Sequence, residues 1–168
     1  MPILRRLELR DAPFMLEWMH DPNVVRYLQG DFIAKTMEDC YAFIRSSWDD
    51  KENMHLAIKN NMGEYMGTVS LKHIDRNVHS AEFAIAIRRC AMGTGLSKKA
   101  MQETMYIGFK MLGLTNIYWC VSPENKRAVC FYSKNGYKEV PADLLKIKRG
   151  MYSSKQIQEH IWYQVNNE

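Results

Sequence analysis

Residues 82–97 read Glu82-Phe-Ala-Ile-Ala-Ile87 and then Arg88-Arg-Cys-Ala-Met-Gly93-Thr-Gly95-Leu-Ser97, an apolar strand pattern leading through two glycines into a helix. Leu96, Ala100, Met101, Met105 and Phe109 recur at helical spacing, which predicts a helix over 96–111 with Gly113 at its C-terminal cap. Glycine lets the backbone approach a ligand closely and adopt positive φ. The first N–H groups of a helix have no intrahelical acceptor and carry the positive end of its dipole. The loop therefore suits a phosphate, with Ser97 adding a hydroxyl and Lys98 or Lys99 adding charge. A tight strand-to-helix turn would use the same two glycines. A P-loop is excluded because no Gly-Lys-Ser/Thr follows, and a dinucleotide fingerprint fails because Lys98 stands where its third glycine belongs.

Upstream, Ile3–Leu9 has a strand-like pattern, and Asp11 with Pro13 opens a helix carrying Phe14, Met15, Trp18 and Met19. Asp21-Pro22-Asn23 ends that helix. Thr36 and Asp39 stand in capping-box spacing before a second helix reaching about Asp49. His55–Lys59 and Tyr65–Ile74 form a hairpin across Asn60–Gly63, and Ala81–Ile87 is the next strand. Downstream come a strand at Asn116–Val121, a short helix at Asn125–Lys134, and strands at Tyr137–Val140 and His160–Val165. The order β-α-α-β-β-β-α-β-α-β-β describes an α/β (α+β) chain with a mixed sheet, taken as one domain over 1–168.

A formal net charge of +4 with scattered basic residues gives no nucleic-acid footprint. No apolar run approaches the roughly 20 residues that span a membrane, and the N-terminus lacks a signal-peptide core, so a cytoplasmic protein is expected. Cys40, Cys90, Cys120 and Cys130 show no zinc-type spacing or histidine pairing, and three of them have apolar surroundings; neither a metal nor a disulfide is expected.

About 30 residues beyond Gly95 stands Asn125-Lys-Arg-Ala128-Val-Cys-Phe131-Tyr132-Ser-Lys134-Asn-Gly136-Tyr137. Together with Cys90–Gly95 this resembles the GCN5-related N-acetyltransferase (GNAT) superfamily, whose Gln/Arg-x-x-Gly-x-Gly/Ala loop is followed by Asn-x-x-Ala-x-x-Phe-Tyr-x-Lys-x-Gly-Phe. The likeness runs over 3–165 in element order, with its specific motifs in 82–137. Arg10-Asp11, Trp18 and Asp21-Pro22 are similar to the branch of ribosomal-protein N-terminal and amino-sugar acetyltransferases. Cys90 and Ala91 depart from the family loop, leaving the backbone to hold the phosphate, with Arg88 or Arg89 as a substitute donor.

The resemblance implies a mostly antiparallel central sheet flanked by helices and acetyl-CoA as co-substrate, with no metal. Phe83, Ala84, Ile85 and Ile87 would line the pantetheine arm. Met92, Gly93, Thr94, Gly95, Leu96 and Ser97 would take the pyrophosphate, with Asn125, Ala128, Tyr132 and Lys134 completing the cofactor site. It also implies direct attack of a neutral amine on the thioester, with Tyr132 as the acid. A lysine-type amine with a pKa of about 10.4 costs roughly 4–5 kcal/mol to deprotonate at neutral pH, whereas an α-amine costs about 1 kcal/mol. A basic acceptor therefore needs a base. Glu82 is the first candidate, and His79 and Ser80 are held in reserve.

The acceptor is expected to be a small-molecule or peptide amine. The amine of a nucleotide-linked sugar comes first, a protein N-terminus is the alternative, and drug amines or polyamines rank third. Trp18, Tyr27, Phe32, Trp48, Tyr152 and Trp162 fall in the regions that select it. A monomer or homodimer is expected, and a non-catalytic acyl-CoA-binding module is the reading of another class.

Overall fold

A computed structural model describes residues 1–145, 147 and 149–167. Six strands form one sheet in sequence order: β1 (Leu4–Arg6), β2 (Met54–Lys59), β3 (Tyr65–Asp75), β4 (Ser80–Ile87), β5 (Asn116–Val121) and β6 (Ile161–Asn166). Every neighbouring pair is antiparallel except β4–β5. The helices are α1 (Ala12–Met19), α2 (Pro22–Val25), α3 (Met37–Ser47), α4 (Leu96–Tyr106), α5 (Lys126–Lys134) and α6 (Ser154–Glu159). Among the described residues no helix is long and apolar enough to cross a membrane.

Strand alternation sorts the side chains onto two faces. Val69, Leu71, Phe83, Ile117 and Trp119 point to one face, where Ala100, Met101, Met105 and Tyr132 of α4 and α5 cover them. Ala57, Tyr65 and Ala86 point to the other, under Met15, Trp18 and Met19 of α1 and Cys40 and Ile44 of α3. Each large apolar side chain buried this way contributes about 1.5–3 kcal/mol. A third cluster, Tyr118, Leu145, Tyr152 and Trp162, extends the second face over β5 and β6.

Several expected boundaries move for identifiable reasons. The first strand shrinks to Leu4–Arg6, because the chain turns at Leu9–Asp11 to close a bidentate ion pair from Arg5 to Asp11, both contacts 2.8 Å. The Asp11 carboxylate is thereby diverted from capping α1. Thr36 and Asp39 do form the capping box of α3. Asp21-Pro22 ends α1 but also starts α2, with Asp21 capping Asn23 N–H at 3.0 Å. The expected helix 96–111 is α-helical to Tyr106 and ends in a π-helical turn over Ile107–Met111.

Tyr137–Val140 is not a strand: it makes a single bridge, Glu139 to Tyr163. Tyr137 N–H still bonds Tyr132 C=O at the end of α5, and Pro141 has no N–H with which to continue a ladder. Helix α6 went unread, although Ser153 and Gln156 form a capping box.

Gly67 allows β3 and β4 to lie close. A Cβ there would stand 2.5 Å from Ala86 C=O and 2.9 Å from Ile87 Cα. Gly67→Ala should cost about 1–3 kcal/mol by overpacking, a fall in Tm of roughly 3–10 °C for a chain this size. An unchanged melting curve would contradict the close β3–β4 approach.

Candidate active site

The parallel pairing of β4 with β5 covers only Ser80–Glu82 against Asn116–Tyr118. Strand β4 continues to Ile87, still paired to β3, and β5 continues to Val121, so the two strands part beyond Glu82. A cavity of about 720 Å³ occupies the parting. Its lining comes from both faces of the sheet: Ser70, Lys72 and Glu82 from one, and Phe83, Trp119 and Tyr132 from the other. Glu82 and Phe83 are consecutive in the strand and point to opposite faces. The cavity thus passes through the sheet, lined by α1 and α3 on one side and by α5 on the other.

Glu82 sits near the middle of this passage and is 8% exposed. Its Oε1 accepts a hydrogen bond from the Tyr152 hydroxyl at 2.6 Å, and its Oε2 lies 3.6 Å from Lys72 Nζ, directly across on β3. His73 Nε2 is 3.8 Å from Oε1. A bulge between Lys72 and Asp75 puts His73 in the left-handed region, φ 54°, a conformation histidine tolerates better than most side chains. Burial pushes the Tyr152 phenol far above its ordinary value, and donation to Glu82 pushes it further. Beside Lys72 on the same face, Ser70 Oγ lies 2.6 Å from His55 Nδ1, and burial holds His55 below the usual imidazole range. The reserve bases His79 and Ser80 do not line the cavity. The His79 C=O instead accepts from Thr115 and Asn116 N–H, and Ser80 is buried in the β4–β5 ladder.

On the other face Tyr132 is buried against Trp119 and Tyr163, at centroid distances of 5.3 and 4.8 Å. Burial raises its phenol well above the ordinary range, so the hydroxyl keeps its proton at neutral pH. Asn125 caps α5 by accepting from Ala128 N–H at 3.2 Å, which leaves its side-chain NH₂ for the cavity that both residues line. Phe83, Ala84 and Ile85 line it. Ile87 lies outside the lining, beside Gly67. Lys134 is exposed at the far end of α5 and also outside the lining, so the structure does not bring it to the cavity.

The glycine loop lies outside this cavity, at the start of α4. Gly93 and Gly95 have φ of 78° and 85° with open space around each, so backbone conformation and not packing calls for glycine. The Thr94 hydroxyl folds back onto Ala91 C=O. Among the described residues, Ser97 N–H and Lys98 N–H have no acceptor, as an anion-binding helix start requires. Leu96 N–H makes only a 3.5 Å contact to the Thr94 hydroxyl, and Met92 packs against the Arg127 guanidinium. Arg88 and Arg89, the expected substitute donors, are held by carboxylates. Arg88 clamps Glu17 with two bonds of 2.9 Å, and Arg89 clamps Asp21.

Of the six aromatics expected near the acceptor, Trp18, Tyr27, Phe32 and Tyr152 line the cavity. Trp48 bonds Leu7 C=O under Arg6, and Trp162 is buried in the third cluster. The sequence reading missed Ser70 and Lys72, and it foresaw Tyr152 as an aromatic near the acceptor but not as a partner of Glu82. Alternation along Thr68-Val-Ser-Leu-Lys72 does mark Ser70 and Lys72 as one polar face, whereas Tyr152 comes from irregular chain without a periodic signal.

A family model for the acetyltransferase (GNAT) domain matches residues 3–138, and the chain belongs to that family. It is an acetyl-CoA-dependent N-acetyltransferase. It is 28% identical over 129 residues to an N-acetyltransferase designated p20 from Bacillus licheniformis, covering 75% of this chain and 72% of that one. It is 29% identical over 134 residues to spermidine N(1)-acetyltransferase of Escherichia coli K12, covering 80% and 71%. Its fold matches Vibrio cholerae spermidine N-acetyltransferase, solved with CoA and spermine, at a TM-score of 0.79 and 22% identity over 97% of this chain and 94% of that one.

The thiols offer a check on cavity burial. Cys90 and Cys130 are exposed, Cys40 is buried and Cys120 is half-buried, where three were expected in apolar surroundings. Burial pushes the Cys120 thiol up to about 12. Because the thiolate is the reactive form, alkylation at pH 8 should label Cys90 and Cys130 and spare Cys40 and Cys120. Peptide mass analysis showing early labelling of Cys120 would contradict the burial of its thiol.

Proposed function

We propose that the chain, acting as one catalytic domain over 1–168, acetylates a primary amino group of a polyamine. The amine enters from the α1–α3 face, and acetyl-CoA lies on the α4–α5 face. The observation that carries this reading is the single cavity crossing the sheet, with Glu82 on one face and Tyr132 on the other. In this reading Ser97 and Lys98 N–H, with Gly93 to Leu96, hold the pyrophosphate. The part of β4 beyond Glu82 and the Asn125 amide hold the pantetheine arm.

Glu82 accepts the ammonium proton, directly or through water, and the amine nitrogen attacks the thioester carbonyl. The C–S bond then breaks, the Tyr132 hydroxyl, which has no hydrogen-bond partner among the described residues, donates its proton to the leaving thiolate, and the second proton of the attacking nitrogen leaves to water as the amide forms, with water returning a proton to Tyr132. Burial keeps this phenol protonated, so its proton is available for that donation.

The polyamine is preferred to a nucleotide-linked sugar because relatives carry spermidine acetyltransferase names. The aromatic faces of Tyr27, Phe32 and Phe43 on the amine side also suit a cation. A peptide N-terminus has no such support.

CoA release with spermidine, a nucleotide-linked amino sugar and short peptides tests the acceptor. Turnover is expected with spermidine; release confined to the sugar or peptides would overturn the reading. Tyr132→Phe should lower kcat on the order of 10²-fold. Glu82→Gln should do so most strongly near neutral pH. Its deficit should shrink as pH rises toward the amine pKa of about 10, where the free amine no longer needs a base. A deficit that is constant across pH would argue against Glu82 as the base.

A further inference from the structure

Glu82 projects from a strand, and its carboxylate is anchored from outside the strand. The Tyr152 hydroxyl donates to Oε1 at 2.6 Å and lies 3.3 Å from the Tyr118 hydroxyl. A phenol has one proton to give, and a carboxylate at 2.6 Å is the stronger acceptor. Tyr118 must therefore donate to Tyr152, giving a chain from Tyr118 through Tyr152 to Glu82 in which each bond strengthens the next. Tyr118 is the β5 residue paired with Glu82 where the two strands last meet. The Tyr152 ring is held edge-on against Trp162, with centroids 5.2 Å apart. Tyr152 lies beyond residue 138, where the family match ends.

We propose that Tyr152 is a positioning residue for the reaction: it fixes the rotamer of Glu82 so that Oε2 faces the incoming amine. This rests on the reading of Glu82 as the base. With Oε1 occupied by a donor that keeps its proton, Oε2 is the oxygen left to take one up. Lys72 on β3 faces Oε2 and His73 faces Oε1 from the bulge. Neither is buried as Tyr152 is, so neither can fix the carboxylate as tightly. The C-terminal segment that forms a wall of the amine side, with Met151 and Gln156, thus also sets the geometry of the base.

The test is a double-mutant cycle on full-length protein with acetyl-CoA and spermidine, reading kcat and both KM values. Tyr152→Phe keeps the ring and its contact with Trp162 but removes the hydroxyl. We expect a fall in kcat of about 10-fold, the worth of one charge-assisted hydrogen bond, with KM for acetyl-CoA unchanged. In a Glu82→Gln background the same change should cost less than about 2-fold, because groups acting as a unit are non-additive. Tyr118→Phe, which removes the outer donor only, should lower kcat in the same direction by a smaller factor; it carries the test if Tyr152→Phe does not fold. An equal loss in both backgrounds, or an unchanged kcat, would overturn the positioning role while leaving Glu82 as the base. A fully active Glu82→Gln would instead remove the base reading itself.

Discussion

The structure depends on the parting of two parallel strands. Hydrogen bonds hold β4 to β5 for only three residue pairs, from Ser80–Asn116 to Glu82–Tyr118. Beyond that point β4 stays with β3, its place fixed by the close approach at Gly67, and β5 stays with β6. A sheet interior normally satisfies its backbone groups by pairing. Here the facing edges of two central strands are released together, and a cavity fills the space between them. That edge offers extended backbone to a ligand with amide groups of its own, as a pantetheine arm has.

The same parting gives the site two sides. One face carries the helix start at Gly95, the α5 cap at Asn125 and the buried phenol of Tyr132. The other carries Lys72, Glu82 and the Tyr118–Tyr152 pair. Glu82 is the last β4 residue in the parallel ladder, so the point where the strands part also bears the carboxylate. In the proposed reaction the amine and the thioester would be held against one another at this point, and holding reactants in geometry lowers a bimolecular barrier.

Much of this was legible in the sequence because it follows from local chemistry. The apolar run ending at Ile87, the glycines at 93 and 95 and the helical spacing after Leu96 define a strand–loop–helix, and the structure has it. Asn125 as the α5 cap and Thr36–Asp39 as the α3 capping box are equally local. What escaped depends on distant partners. Arg88 and Arg89 read as phosphate donors until α1 and the turn after it bring up Glu17 and Asp21. Tyr137–Val140 reads as a strand, but a hydrogen bond back to α5 and the following proline leave one bridge. Tyr152 reaches Glu82 across 70 residues of sequence, and no spacing rule links them.

The most direct measurement is backbone hydrogen exchange with and without CoA, resolved along β4 and the following loop. The account predicts slowed exchange in 83–87 and 92–98 on adding CoA, with β2 and the β1 end of the sheet unchanged. Slowing confined to α1–α3, or none in β4 despite saturating CoA, would contradict the parting of β4 and β5 as the cofactor site.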